Sequence, residues 1–118
     1  MRPDARAYLW DVQKACAAIE AFIAGLDANG YAQNEIVHSA VERKFEIIGE
    51  ALGKLAKQDP QIAGRIPNVR EIVAFRNILI HGYAGIEHAR VWQIAQTSLP
   101  ELRESVAMLL QALGPPGR

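Results

Sequence analysis

Apolar residues recur at intervals of three and four along almost the whole chain, and the architecture that buries such a pattern is a packing of amphipathic helices. Between Asp4 and Leu26 the series is Leu9, Val12, Cys16, Ile19 and Ile23, with Tyr8, Ala15, Phe22 and Leu26 widening the stripe. Gly25 and the cluster Asp27-Ala28-Asn29-Gly30 end that helix. A second helix from Asn34 to Lys57 gathers Ile36, Val37, Ala40, Val41, Phe45, Ile48, Ala51, Leu52 and Leu55 on one broad face, with Asn34 in the capping region. From Gln58 to Asn68, the breakers Pro60, Gly64 and Pro67 allow at most a short turn of helix. A third helix runs from Val69 to His81, opened by Asn68 and Glu71 in a capping arrangement. The last begins near Ile86 or Glu87 and continues through Val91, Trp92, Leu99, Leu102, Val106 and Leu109, with Pro100 expected to kink or interrupt it. No stretch alternates with a strand period. The expected fold is therefore all-α, an up-and-down bundle of four to five helices forming one domain over residues 1–113. Residues 114–118, Gly-Pro-Pro-Gly-Arg, carry no apolar anchor and are expected to form a disordered tail.

Composition narrows the function classes. Thirteen basic and thirteen acidic residues leave a net charge of zero, so any nucleic acid must be attracted by a local patch or by a groove between subunits. Between residues 65 and 90, Arg65, Arg70, Arg76 and Arg90 stand against Glu71 and Glu87, with His81 and His88 nearby, a mild positive patch. The single cysteine, Cys16, excludes an internal disulfide and a cysteine-rich zinc site, and falls in the core stripe of the first helix. No apolar run approaches the roughly 20 residues of a membrane span, so a soluble, cytoplasmic protein without membrane contact is expected. Glu35 and His38 match the E-x-x-H element of di-iron bundles, but such bundles need a second copy, which the chain lacks. No metal or other cofactor is expected.

The stretch Phe75-Arg76-Asn77-Ile78-Leu79-Ile80-His81-Gly82-Tyr83 departs from a plain core helix. Ile72, Val73, Phe75, Ile78, Leu79 and Ile80 fill an apolar arc of roughly 220°, and Arg76 falls inside it. A desolvated guanidinium without partners costs several kcal/mol, so Arg76 must be paired or lie at an interface or cleft. Glu50, at the edge of the second helix's apolar face, is the carboxylate expected to pair with it. His81 ends the helix, where Gly82 is expected to turn it in the left-handed conformation, and imidazole is the side chain suited to moving protons near neutral pH. Asn77, four residues before His81, shares its face and is placed to orient the ring or contact a ligand. Arg76 and His81, however, diverge by about 140° on an ideal helix, so either the last turn unwinds or a second subunit completes the site.

The run Arg76 to His81 followed by Gly82-Tyr83 resembles the R-x4-6-H signature of the HEPN superfamily, in the "RN…H-x-Y" form of its HepT-like toxins. The runs from Val41 to Leu52 and from Val91 to Leu102 are similar to that family too, so the resemblance covers nearly the whole chain. It implies a helical bundle acting as a homodimer, and a metal-independent endoribonuclease that cleaves single-stranded RNA or tRNA by attack of the ribose 2′-hydroxyl on its own phosphate. It assigns catalysis to Arg76 and His81, with Asn77 in support. It also implies the toxin half of a type VII-like toxin-antitoxin pair, neutralised when an MntA-type nucleotidyltransferase transfers AMP to Tyr83. The alternative is a catalytically silent dimeric partner of such a nucleotidyltransferase.

Overall fold

A computed structural model describes residues 4–82 and 86–114 as six helices, with no strand among them. They are α1 (Ala5–Ile23), α2 (Ala28–Gln33), α3 (Glu35–Gln58), α4 (Pro60–Ala63), α5 (Val69–His81) and α6 (His88–Leu113). Short polar side chains start most of them: Asp4 accepts from Arg6 N, Asp27 from Gly30 N, Asn34 from Val37 N and Asp59 from Ile62 N. The expected capping arrangement at α5 is absent. Asn68 sits in the left-handed region at φ 66°, and its side chain makes no capping bond. Helix α2 is an addition to the expected set, since residues 27–30 do not stay in a loop but open a six-residue helix whose Tyr31 is wholly buried. Pro100 does not interrupt α6, which continues unbroken past it to Leu113.

Contacts between three pairs of helices fix the directions. Tyr8 near the start of α1 donates to Gln58 Oε1 at the end of α3 at 3.3 Å, so the two helices run antiparallel. Arg6 donates to Leu113 O, while Glu20 pairs with Arg103, which sets α6 antiparallel to α1. Gly53 lies opposite Val73 and Gly49 opposite Arg76, which sets α5 antiparallel to α3. This is the expected up-and-down order, with α2 laid across the ends of α3 and α6. The core is drawn from the expected stripes: Leu9, Val12, Cys16 and Ile19 of α1, Val41, Ile48, Leu52 and Leu55 of α3, and Val91, Leu99 and Val106 of α6 are almost completely buried. Each such side chain contributes roughly 1.5–3 kcal/mol through removal from water. Among the described residues no helix is long and apolar enough to cross a membrane. Of the expected tail only Gly114 is described, in the left-handed region at the end of α6; residues 115–118 lie outside the described residues.

Candidate active site

Helix α5 reaches α3 at Gly49. A β-carbon added there would lie 2.7 Å from Arg76 Cγ and closer still to Arg76 Cβ, so only glycine lets the arginine stem pass this near the α3 backbone. The stem is thereby clamped and the guanidinium is carried to the edge of the helix pair. Its Nη1 donates to Asn77 Oδ1 at 3.1 Å, and its Nε is buried with no hydrogen-bond partner among the described residues. The expected partner is not the one found: Glu50 is exposed and accepts from Lys54 Nζ at 3.2 Å, one turn along the same helix. Glu50 points along the outer face of α3 because Gly49, its neighbour, takes the face turned to Arg76.

His81 is exposed in the last turn of α5, which stays helical to that residue, and Gly82 N closes it onto Ile78 O at 2.7 Å. Gly82 is not left-handed, with φ at −99°. Its glycine identity is explained by space, since a β-carbon would meet Ile78 O at 2.7 Å. With no unwinding, Arg76 and His81 keep the divergence of about 140° within one chain. The apolar arc is also incompletely covered. Phe75 and Leu79 are buried, but Ile78 is 48% exposed and Ile72, Val73 and Ile80 are only partly covered. The helix thus presents an arginine with a buried unpaired nitrogen, an exposed imidazole and an uncovered isoleucine within two turns.

A family model, Ribonuclease HepT-like, matches residues 12–109 and so spans α5 whole. The chain belongs to the HepT-like ribonuclease family. It is 33% identical over 108 residues to a Methanocaldococcus jannaschii protein that bears the name of an RNase, covering 90% of this chain and 96% of that one. It is 29% identical over 106 residues to a Caldanaerobacter subterraneus protein also named as an RNase, covering 90% and 94%. A Thermococcus cleftensis protein that bears the name ribonuclease HepT is 29% identical over 103 residues, covering 87% and 93%. No solved structure matches the chain. Within the HepT-like frame, Arg76, Asn77 and His81 stand on one helix, Glu50 stands apart from them, and Tyr83 lies outside the described residues.

A second polar cluster, not anticipated from the sequence, lies toward the same end of this HepT-like bundle. Because α5 runs antiparallel to α3, its His81 end is directed toward the N-terminal half of α3, which carries His38 and Glu42. His38 Nδ1 and His88 Nδ1 lie 3.7 and 3.8 Å from the same oxygen, Glu42 Oε2. The two imidazoles stack with centroids 3.9 Å apart, and Tyr31 of α2 sets its ring edge-on to both. Burial, with Glu42 adding to it, pushes the Tyr31 phenol well above its ordinary range, and its hydroxyl has no partner among the described residues. Glu35, the carboxylate of the E-x-x-H match, is exposed and takes no part. The i, i+4 spacing of His38 and Glu42 is the signal that was visible; His88, fifty residues on, comes beside them only through the packing of α6.

Proposed function

We propose that the protein is a metal-independent endoribonuclease, the toxin of a type VII-like pair, that cuts single-stranded RNA or tRNA at a site shared between two copies of the chain. The observation that carries this reading is the α5 geometry, in which Arg76 is clamped by Gly49 and bonded to Asn77 while His81 is exposed at the helix end. His81 takes the proton from a ribose 2′-hydroxyl as its oxygen bonds to the adjacent phosphorus. The bond to the 5′-oxygen breaks, that oxygen takes a proton from solvent water while His81 returns its own to solvent, and the products are a 2′,3′-cyclic phosphate and a 5′-hydroxyl. Arg76 faces the charge that builds on the phosphoryl oxygens, a role suited to a planar cation that stays protonated when partly desolvated. Asn77 holds the guanidinium through its side-chain oxygen, a positioning role.

A homodimer is favoured because it brings the His81 of one copy to the Arg76 of the other, removing the angular divergence, and because Ile78 offers uncovered apolar surface there. Two facing arginines also supply local charge that a net charge of zero does not. Single-stranded RNA is the favoured substrate because the 2′-oxygen must come in line with the leaving oxygen, which a regular A-form duplex prevents. Transfer of AMP to Tyr83 by an MntA-type nucleotidyltransferase would put a bulky anion two residues from His81, opposing RNA both sterically and through Arg76. The protein would act in the cytoplasm, where RNA and nucleotide donor are present.

The test is cleavage of labelled single-stranded RNA and tRNA in EDTA by wild type, Arg76→Ala and His81→Ala, after mass spectrometry has shown Tyr83 free of AMP. Cyclic-phosphate ends from wild type, reduced at least a hundredfold in both variants, are expected. A folded, unmodified wild type that cuts none of these RNAs would overturn the reading in favour of a silent partner of the nucleotidyltransferase.

A further inference from the structure

We propose that His38, Glu42 and His88 form a divalent transition-metal site, taking zinc through His38 Nδ1, His88 Nδ1 and Glu42 Oε2 and clipping the first residue of α6 to α3. The site goes beyond the ribonuclease reading and does not depend on it, since the ion would hold helices and not the scissile phosphate.

Three observations carry it. One ligand atom from each of the three residues lies within 4.8 Å of the other two, and the Nδ1 atoms of His38 and His88 are 3.7 and 3.8 Å from Glu42 Oε2. Around a tetrahedral zinc with bonds near 2.0–2.1 Å, ligand atoms are roughly 3.3 Å apart, so a small inward rotation of the side chains closes the set. Both Nδ1 atoms are buried and without a hydrogen-bond partner among the described residues, and both face one carboxylate oxygen at more than hydrogen-bonding distance. With the ring proton on Nε2, each Nδ1 offers a lone pair that no described hydrogen bond uses. A cation at the centre satisfies all three groups together, leaving a fourth position for water. The donor set also selects among metals: two imidazoles and one carboxylate suit zinc and its late first-row neighbours, whereas magnesium and calcium call for oxygen.

The surroundings match a site that orients its ligands. Tyr31, wholly buried, lies edge-on to both imidazoles, and its ring in turn packs tilted against Trp92 at 5.5 Å between centroids. His38 and Glu42 are one turn apart on α3, and His88 is the first residue of α6, so the ion would tie the start of α6 to α3.

The experiment is zinc titration by calorimetry and by thermal unfolding, using tag-free full-length chain stripped with a chelator and dialysed. Wild type is expected to bind one zinc per chain and to melt at a higher temperature with zinc, but not with magnesium. His88→Ala and Glu42→Gln, each checked for native helicity by circular dichroism, should weaken zinc binding at least tenfold and lose the thermal shift. Glu35→Gln and His81→Asn should keep both. Because a ligand variant can alter the packing of α6, the imidazole 15N shifts of wild type are followed as well. Zinc-dependent shifts of Nδ1 in both His38 and His88 are expected. Folded wild type without saturable zinc binding, undiminished binding in His88→Ala and Glu42→Gln, or shifts confined to His81 would each overturn the proposal. None of these outcomes depends on RNA cleavage, so the failure of one reading is distinct from the failure of the other.

Discussion

Replacing Gly49 by alanine tests whether the close approach of α3 and α5 sets the position of Arg76. The added methyl would begin 2.7 Å from Arg76 Cγ, whereas carbon atoms rest at about 3.5–4.0 Å, so the arginine stem must retreat by roughly 1 Å. Overpacking of this kind costs about 1–3 kcal/mol, while the gain from alanine over glycine inside a helix offsets about 1 kcal/mol. The net loss is therefore about 0–2 kcal/mol, or up to about 8 °C in Tm for a domain of this size. Cleavage should suffer far more, because a displacement of about 1 Å at a reacting group costs on the order of a hundredfold in rate. Gly53→Ala is the matched control one turn along α3, since its β-carbon would meet only Val73 Cγ2 at an ordinary 4.0 Å. It should leave cleavage unchanged and raise stability by about 0.5–1 kcal/mol. Turnover numbers and thermal melts of the two variants, measured side by side, decide the matter. Wild-type turnover in Gly49→Ala, or equal losses in both variants, would refute the clamp.

Other expectations follow from the same packing. Burial, with Glu20 as a lesser cause, pushes the Cys16 thiol from 9.0 up to about 12. The folded chain then holds a proton that the unfolded chain releases, so stability should fall as pH rises between about 9 and 12, more steeply in wild type than in Cys16→Val; parallel urea melts across that range with equal slopes would contradict this. Tyr31→Phe removes a buried hydroxyl without a partner among the described residues and should change stability by about 0–2 kcal/mol in the favourable direction; a loss above about 1 kcal/mol in denaturant melts would show that the hydroxyl is satisfied. Arg103→Ala, at the exposed ion pair with Glu20, should cost at most about 1 kcal/mol. Ile78→Glu, on the uncovered face of α5, should weaken self-association at least tenfold by analytical ultracentrifugation while leaving the monomer's helicity intact, because the residue is half exposed in the single chain.

The long helices were legible because local and tertiary preferences agree in them. From Val41 to Leu55 the expected α3 stripe is buried, while Ile36 at its start is 83% exposed, and Asn34 caps the helix through Val37 N. What escaped the sequence was decided by contacts between distant segments. The six-residue α2 has an Asn-Gly pair and a weak intrinsic helix, and it stands because Asp27 caps it and Tyr31 is buried beneath α3 and α6. The apolar period assigns Gly49 no role, and only the approach of Arg76 explains it. Gly82 was identified as a helix end for the wrong reason, its need being space beside Ile78 O and not a left-handed backbone. At the candidate site, the charge inside an apolar arc draws attention to Arg76, but periodicity cannot choose its hydrogen-bond partner, which is Asn77 and not Glu50. The angular conflict between Arg76 and His81 was visible from their spacing alone, and α5 keeps it by remaining helical through His81.

The central claim is that Arg76 of one copy works with His81 of another, and mixing two inactive variants tests it most directly. Arg76→Ala and His81→Ala, each folded and each inactive alone, are unfolded together, refolded and assayed on the same RNA. A shared site predicts that activity returns to about a quarter of the wild-type level, since half the dimers are mixed and each mixed dimer holds one intact pair. No recovery from mixed dimers shown to have formed by native mass spectrometry would contradict it.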